Sequence, residues 1–288
     1  MIQKRKNNLY NSDLGVPFNI SRSKIDLFLE CPRCFYLDRR LGVPRPGMPG
    51  WSLNSAVDKL LKNEFDLLRK KGGSHKLMDK YKINAVPFDH PDLPTWRDDN
   101  YKHIGACVLH KKTNLKICGI IDDIWINKKT KELCIVDYKA TSTSQVISLE
   151  DEYKQGYKKQ MEIYQWIFRQ MGFKVSKTGY FLFANAGRNR PEFDGKLEFK
   201  TSIIPYKGND SWIESAILDI KKCLDSDKIP ASGEKCEYCA YRKLIAEEEL
   251  NSRILRHDSG QKINPSINSG QVDPEKKSKI SNGARKPQ

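Results

Sequence analysis

The chain has 288 residues, 51 Lys/Arg against 36 Asp/Glu, and a formal net charge of +15. No segment approaches the ~18 apolar residues of a membrane span, and residues 1–15 hold no apolar signal-peptide core, so a soluble, cytoplasmic protein without a membrane partner is expected. The length suits one large domain with appendages, and the basic excess favours a polyanionic partner, because Lys and Arg release counterions from nucleic-acid backbones.

In chain order, residues 1–16 predict a flexible basic leader and 17–250 the folded domain. Ser23-Lys-Ile-Asp26 has the form of a capping box opening a short helix, which Cys31-Pro32 interrupts before it resumes over Phe35–Leu41. A Pro/Gly-rich loop covers Val43–Gly50. Leu53, Val57, Leu60, Leu61, Phe65 and Leu68 are spaced as one helix face, ending at Gly72-Gly73. Residues 74–100, with three prolines, predict irregular chain, followed by strands over Lys102–His110, Leu115–Ile126 and Glu132–Lys139. A long helix over Asp151–Met171 stops at Gly172. Strands over Lys177–Ala184 and Leu197–Pro205 and helices over Ser211–Leu224 and Tyr241–Leu250 follow. Residues 251–288, rich in Ser, Asn, Gly, Lys and Pro, predict a disordered basic tail. This order predicts an α/β fold, a mixed sheet flanked by helices.

The chemistry concentrates in Gly119-Ile-Ile-Asp-Asp-Ile-Trp125 and Cys134-Ile-Val-Asp-Tyr-Lys139. Alternation along a strand puts Asp137 and Lys139 on one face and Tyr138 on the other. A hairpin turning around Lys129-Thr130 sets Asp122 opposite Asp137, and two facing carboxylates repel unless a cation lies between them. A solvated acidic face is the ordinary reading of such a pattern, but these acids interrupt apolar runs where an unpaired charge is costly. Gln160 and Tyr164, four apart, share a helix face that can point at the same place or merely pack. Trp96, beside prolines, is a base-stacking candidate for which core packing is the commoner role. Arg188 and Arg190 suit either phosphate contact or a solvated turn.

Eight cysteines without an export signal predict free thiols. Cys31-Pro-Arg-Cys34 and Cys236-Glu-Tyr-Cys239 form two C-x-x-C pairs at opposite ends of the folded region; Cys107, Cys118 and Cys134 suit small apolar packing roles, and Cys223 is a spare ligand.

Read together, Cys31-Pro-Arg-Cys-Phe-Tyr36, Asp122, Asp137-Tyr-Lys139, Gln160-x-x-x-Tyr164 and Cys236-x-x-Cys239 resemble, in order, the RecB-like branch of the PD-(D/E)XK nucleases. That branch includes the CRISPR-associated RecB-like exonucleases and the AddB nuclease domain. The resemblance implies a restriction-endonuclease-like mixed sheet and hydrolysis of DNA phosphodiesters with Mg²⁺ or Mn²⁺. It makes Asp122, Asp137, Lys139, Gln160 and Tyr164 catalytic, with Asp122, Asp137 and the Tyr138 carbonyl on the metal. Asp58 stands where many members carry a histidine, a metal ligand in this chain or else a plain surface acid. Iron–sulfur members carry one early and three late cysteines; here Cys31, Cys34, Cys236 and Cys239 restore four as two plus two. They suit [4Fe–4S], which the resemblance favours, or structural Zn²⁺, joining the N-terminal helices to the C-terminal one. The implied partners are single-stranded DNA or duplex ends and a helicase or CRISPR-type protein, in repair, recombination or defence. No Walker-type phosphate loop occurs, so ATP-driven unwinding belongs to another chain. The alternative is a catalytically inactive nucleic-acid-binding module of the same fold.

Overall fold

The computed structural model describes residues 3–47, 50, 52–98 and 105–258; Trp51, the predicted strand start at 102–104 and the tail from 259 lie outside them. The described chain runs β1 (Phe18–Ser21), α1 (Arg22–Glu30), α2 (Pro32–Arg39), α3 (Ser52–Lys71), α4 (Lys76–Lys80), β2 (Ala85–Pro87), α5 (Leu93–Trp96), β3 (Ala106–His110), β4 (Leu115–Gly119), β5 (Asp123–Asn127), β6 (Leu133–Thr141), α6 (Gln155–Gln170), β7 (Thr178–Ala186), β8 (Phe199–Lys207), α7 (Ile213–Asp225) and α8 (Glu237–Asp258). It forms two compact units, the first ending at Cys239 and the second beginning at Ala240, within α8. No described helix is long and apolar enough to cross a membrane.

The strands make two sheets, a five-stranded one ordered β2-β5-β6-β7-β8 and a three-stranded one ordered β1-β4-β3. β5 and β6 pair antiparallel with Ile124 opposite Ile135, the register expected for a hairpin that sets positions 122 and 137 level. β6 and β7 are parallel, which demands a crossover, and α6 supplies it. The pleat of β6 divides the core. Leu133 and Ile135 join the apolar cluster under α6 and α7, whereas Cys134, Val136 and Tyr138 face Leu61 and Phe65 of α3.

Several elements differ from their expectation. The predicted strand Leu115–Ile126 is two strands in two sheets, because the chain leaves one ladder after Gly119 and enters the other at Asp123. In between, the Ile121 N–H donates to the Trp96 carbonyl at 3.1 Å, so the break leaves that donor satisfied. The capping box at Ser23 is absent: Ser21 is the N-cap, its hydroxyl bonded to Ser23 Oγ at 3.0 Å, and Asp26 pairs with Arg22 of the preceding turn. Residues 74–100 hold α4, α5 and the edge strand β2, where Pro87 costs the sheet little. The segment read as a leader packs down, with Tyr10 only 7% exposed and bonded to Asp225, and Arg5 paired with Asp38 at 3.2 Å. Trp96 is buried and stacks on His90 at 4.4 Å, a core residue rather than a base platform. Cys107 and Cys118, read as free packing thiols, are joined as a disulfide because β3 and β4 set them directly opposite. Helix α8 begins at Glu237, ahead of the expected Tyr241, and continues to Asp258, past the expected end at Leu250.

Candidate functional site

A cleft of about 770 Å³ opens beside the C-terminal half of β6. It is lined on one side by Asn54, Asp58 and Lys62 of α3 with Arg97, and on the other by Lys139, Tyr157 and Gln160, with Asp122 between. Because β6 alternates, Lys139 and the fully buried Asp137 share a face and form an ion pair, while the Tyr138 side chain turns into the opposite core. The Tyr138 N–H donates to Asp122 Oδ2 at 2.7 Å, fixing that carboxylate just ahead of β5. Gln160 and Tyr164 come together as their spacing on α6 required. Gln160 Nε2 donates to Asp137 Oδ1 at 2.7 Å and to the Tyr164 hydroxyl at 3.1 Å, and its Oε1 accepts from Lys139 Nζ at 3.5 Å. Tyr164 reaches this position because Gly119 has no side chain: a Cβ there would lie 2.6 Å from the tyrosine ring.

The electrostatics are those of acids crowded away from water. Burial raises the Asp122 carboxyl to about 6, reinforced by the charge of Asp137 and opposed by Lys139 and Lys62. Asp58 is raised by burial and by Asp122, again against Lys62. Burial works against the charged forms of Lys139 and Lys62, yet their neighbouring carboxylates hold both pKa values above the ordinary lysine value. Lys139 also lies over the Tyr157 ring, Nζ 4.6 Å from its centre.

A support layer escaped the sequence reading. Asp123 is fully buried, accepting from the Tyr138 hydroxyl at 2.8 Å and pairing with Arg69 of α3, so it anchors β6 from behind. Arg22 of α1 carries positive charge toward Tyr164 and Asp137. Lys62 pairs with Asp58 at 2.9 Å. The only trace of these in the sequence is that Asp123 and Lys62 interrupt apolar patterns; their partners lie 54 residues away on another element in the first case and one helical turn away in the second.

The four predicted cysteines converge. Cys31 caps the end of α1 and the start of α2, and Cys239 lies in the first turn of α8. Their four sulfurs lie within 4.8 Å of one another, and among the described residues this is the one such cluster of three or more metal-ligating side chains. Measured separations are 3.7 Å for Cys31–Cys239 and 3.6 Å for both Cys34–Cys236 and Cys34–Cys239. Burial resists ionisation of Cys31, but N–H groups of Gly233 and Cys34 directed at its sulfur bring the thiol down to about 6. Arg45, stacked on Tyr238 at 4.6 Å, donates to Cys236 Sγ at 3.2 Å. Cys223 and Cys134 stand outside the cluster. Arg188 lines a separate shallow cleft of about 410 Å³ with Asn185 and Lys200.

The family model described as PD-(D/E)XK nuclease superfamily matches residues 57–244, which contain every cleft residue from Asp58 to Tyr164. No curated protein matches the chain. A solved structure described as "Crystal structure of SSO0001" aligns over 74% of this chain and 79% of its own, at 14% identity and a TM-score of 0.34.

Proposed function

Because the chain belongs to the PD-(D/E)XK nuclease superfamily, we propose that it is a divalent-metal-dependent deoxyribonuclease of RecB-like type, acting on single strands or duplex ends. The observation that carries this reading is Asp122, Lys139 and Gln160 lining one open cleft, with the buried Asp137 bonded to both Lys139 and Gln160. Hard carboxylate oxygens suit Mg²⁺ or Mn²⁺, and the raised pKa of Asp122 marks a place where positive charge is wanted. Asp122 and Asp137 are the residues that would hold the ion, with the carbonyl of Tyr138, the residue after Asp137. When bound, such an ion activates water and offsets charge on the phosphate. Lys139, paired with Asp137 here, would supply a compact cation to the scissile phosphate. Gln160, bonded to both Asp137 and Tyr164, holds that carboxylate in place.

The sulfur spacing supports structural zinc over the iron–sulfur cluster that the resemblance favoured. A tetrahedron with Zn–S bonds of about 2.3 Å has edges of about 3.8 Å, close to the 3.6–3.7 Å of three of the six sulfur pairs, all six lying within 4.8 Å. A four-iron cube stands four metal atoms between the thiolates and holds them further apart. The set is closed by four protein ligands, which fits a structural role.

The test is cleavage of end-labelled single- and double-stranded DNA with Mg²⁺ or Mn²⁺, beside Lys139→Ala, with elemental analysis of the same protein. Products that vanish in the variant, and one zinc per chain, are expected. DNA binding without cleavage by the parent protein would instead support the inactive binding module. Iron and acid-labile sulfide in anaerobically purified protein would overturn the zinc assignment.

A further inference from the structure

The α3 wall of the cleft carries a buried cation that cleavage as described above does not use. The Lys62 side chain is 11% exposed and its Nζ lies 2.9 Å from Asp58 Oδ2. Lys62, Asp58 and Asp122 line the same cleft. Lys62 therefore neutralises a carboxylate that borders the same space as Asp122. On the opposite wall Lys139 bears the same relation to Asp137.

We propose that the Lys62–Asp58 pair couples nucleic-acid binding to metal binding: a backbone phosphate entering the cleft draws Lys62 off Asp58, and the released carboxylate joins Asp122 and Asp137 in holding the ion. This rests on the nuclease reading above and adds a mode of regulation to the same site. Lysine suits the exchange, being a point charge on a stem of rotatable bonds that trades one anion for another without fixed geometry. Its neighbour Arg97 does not, because a bidentate bond to Asp66, 2.9 Å to each oxygen, commits it. Lys59 and Lys62 line the same cleft wall, so an incoming phosphate meets Lys62 in a basic setting.

The energetics make the two events mutually dependent. Removing one partner of a buried ion pair leaves an uncompensated charge, so Asp58 gives up Lys62 only where another cation replaces it. Metal and phosphate together satisfy both halves; either alone leaves one half short. By linkage, whatever factor DNA adds to metal affinity the metal adds to DNA affinity. Asp58, at the position of the family's histidine, thus becomes a ligand conditional on substrate rather than a permanent one.

The experiment measures Mn²⁺ binding by electron paramagnetic resonance on the full chain, with Lys139→Ala throughout to prevent cleavage. Titrations run with and without single-stranded oligothymidine, subtracting Mn²⁺ bound by the oligonucleotide alone. Oligothymidine is expected to tighten Mn²⁺ about tenfold, within the usual range of coupling between two sites. Adding Lys62→Met is expected to tighten Mn²⁺ by a similar factor without DNA and to erase the DNA effect. Adding Asp58→Asn instead is expected to erase the DNA effect without any need for the Lys62 variant to fold. A DNA effect that persists in Asp58→Asn, or no DNA effect in the parent, overturns the coupling. If Asp122→Asn abolishes Mn²⁺ binding in that case, the nuclease reading stands while the coupling falls. A parent that binds no Mn²⁺ removes both.

Discussion

The cleft and the cysteine cluster are both meeting points of distant chain, yet they are held in opposite ways. The cleft and the layer behind it are assembled from charges that pair among themselves: Asp137 with Lys139, Asp58 with Lys62, Asp123 with Arg69. Those three acids have an internal substitute for a metal, while Asp122 is held by the Tyr138 N–H, and the fold stands on the strands and helices beneath. The cluster has no comparable internal substitute. Its four sulfurs gather at the junction of α1, α2 and the start of α8, with one guanidinium and a few N–H groups around them. The contrast teaches that a carboxylate site can stay folded with or without an ion, whereas a closed thiolate set ties ion binding to folding.

Exchange of single residues between these two classes should separate them cleanly. Asp137→Ala is expected to reduce cleavage about a thousandfold or more, since it removes both a ligand and the partner of Lys139, while the zinc content stays at one per chain by elemental analysis. Cys236→Ser is expected to do the reverse, losing the metal and about 4 kcal/mol of stability, near 10 °C in the melting midpoint, by calorimetry. A fully metallated, equally stable Cys236→Ser protein would erase the distinction. Asp123→Ala sharpens it from behind the cleft, because it removes the acceptor of the buried Tyr138 hydroxyl and one of the two carboxylates paired with Arg69, which keeps Asp66. A loss of about 2–3 kcal/mol in urea unfolding is expected, the usual cost of leaving a buried donor unsatisfied.

pH gives a subtler readout. With the Asp122 carboxyl raised to about 6, a proton competes with the ion below that value. Mn²⁺ affinity should fall about tenfold per pH unit below 6 and level off above it. For the metal-free protein the sign is opposite. The folded chain binds this proton more tightly than the unfolded chain does, so the Asp122 contribution to stability falls as pH rises from the usual carboxylate range to about 6. Asp122→Asn should remove both trends. The smallest effect belongs to neither site: reducing Cys107–Cys118, which closes a short loop between β3 and β4, should cost about 2–3 kcal/mol and leave cleavage and zinc unchanged.

How far the sequence carried depends on whether the information was local. Asp137 and Lys139 sharing a face, Gln160 and Tyr164 sharing another, and the β5–β6 register all follow from strand and helix periods, and the structure brings these residues together. The break at Ile120–Asp122 was not legible, because an apolar run interrupted by acids looks the same whether it serves one sheet or two. Arg69 and Arg22 were invisible for a related reason: each reads as an ordinary helix-surface cation until the fold buries it against Asp123 or beside Tyr164. The disulfide was missed because the argument from compartment outweighed spacing, and only the β3–β4 register shows the two thiols face to face.

The contact of Gly119 with Tyr164 bears on how this chain can vary over evolutionary time. The two positions share a single volume, since even one methyl group at 119 would overlap the ring. Alanine at 119 is therefore viable only on a background that has already trimmed the ring at 164, which also surrenders the hydroxyl bonded to Gln160. The route from one pair to the other passes through an intermediate impaired in either order of substitution. Lineages of this protein should accordingly keep the glycine and tyrosine together or change both, leaving a paired substitution pattern across 45 residues of sequence.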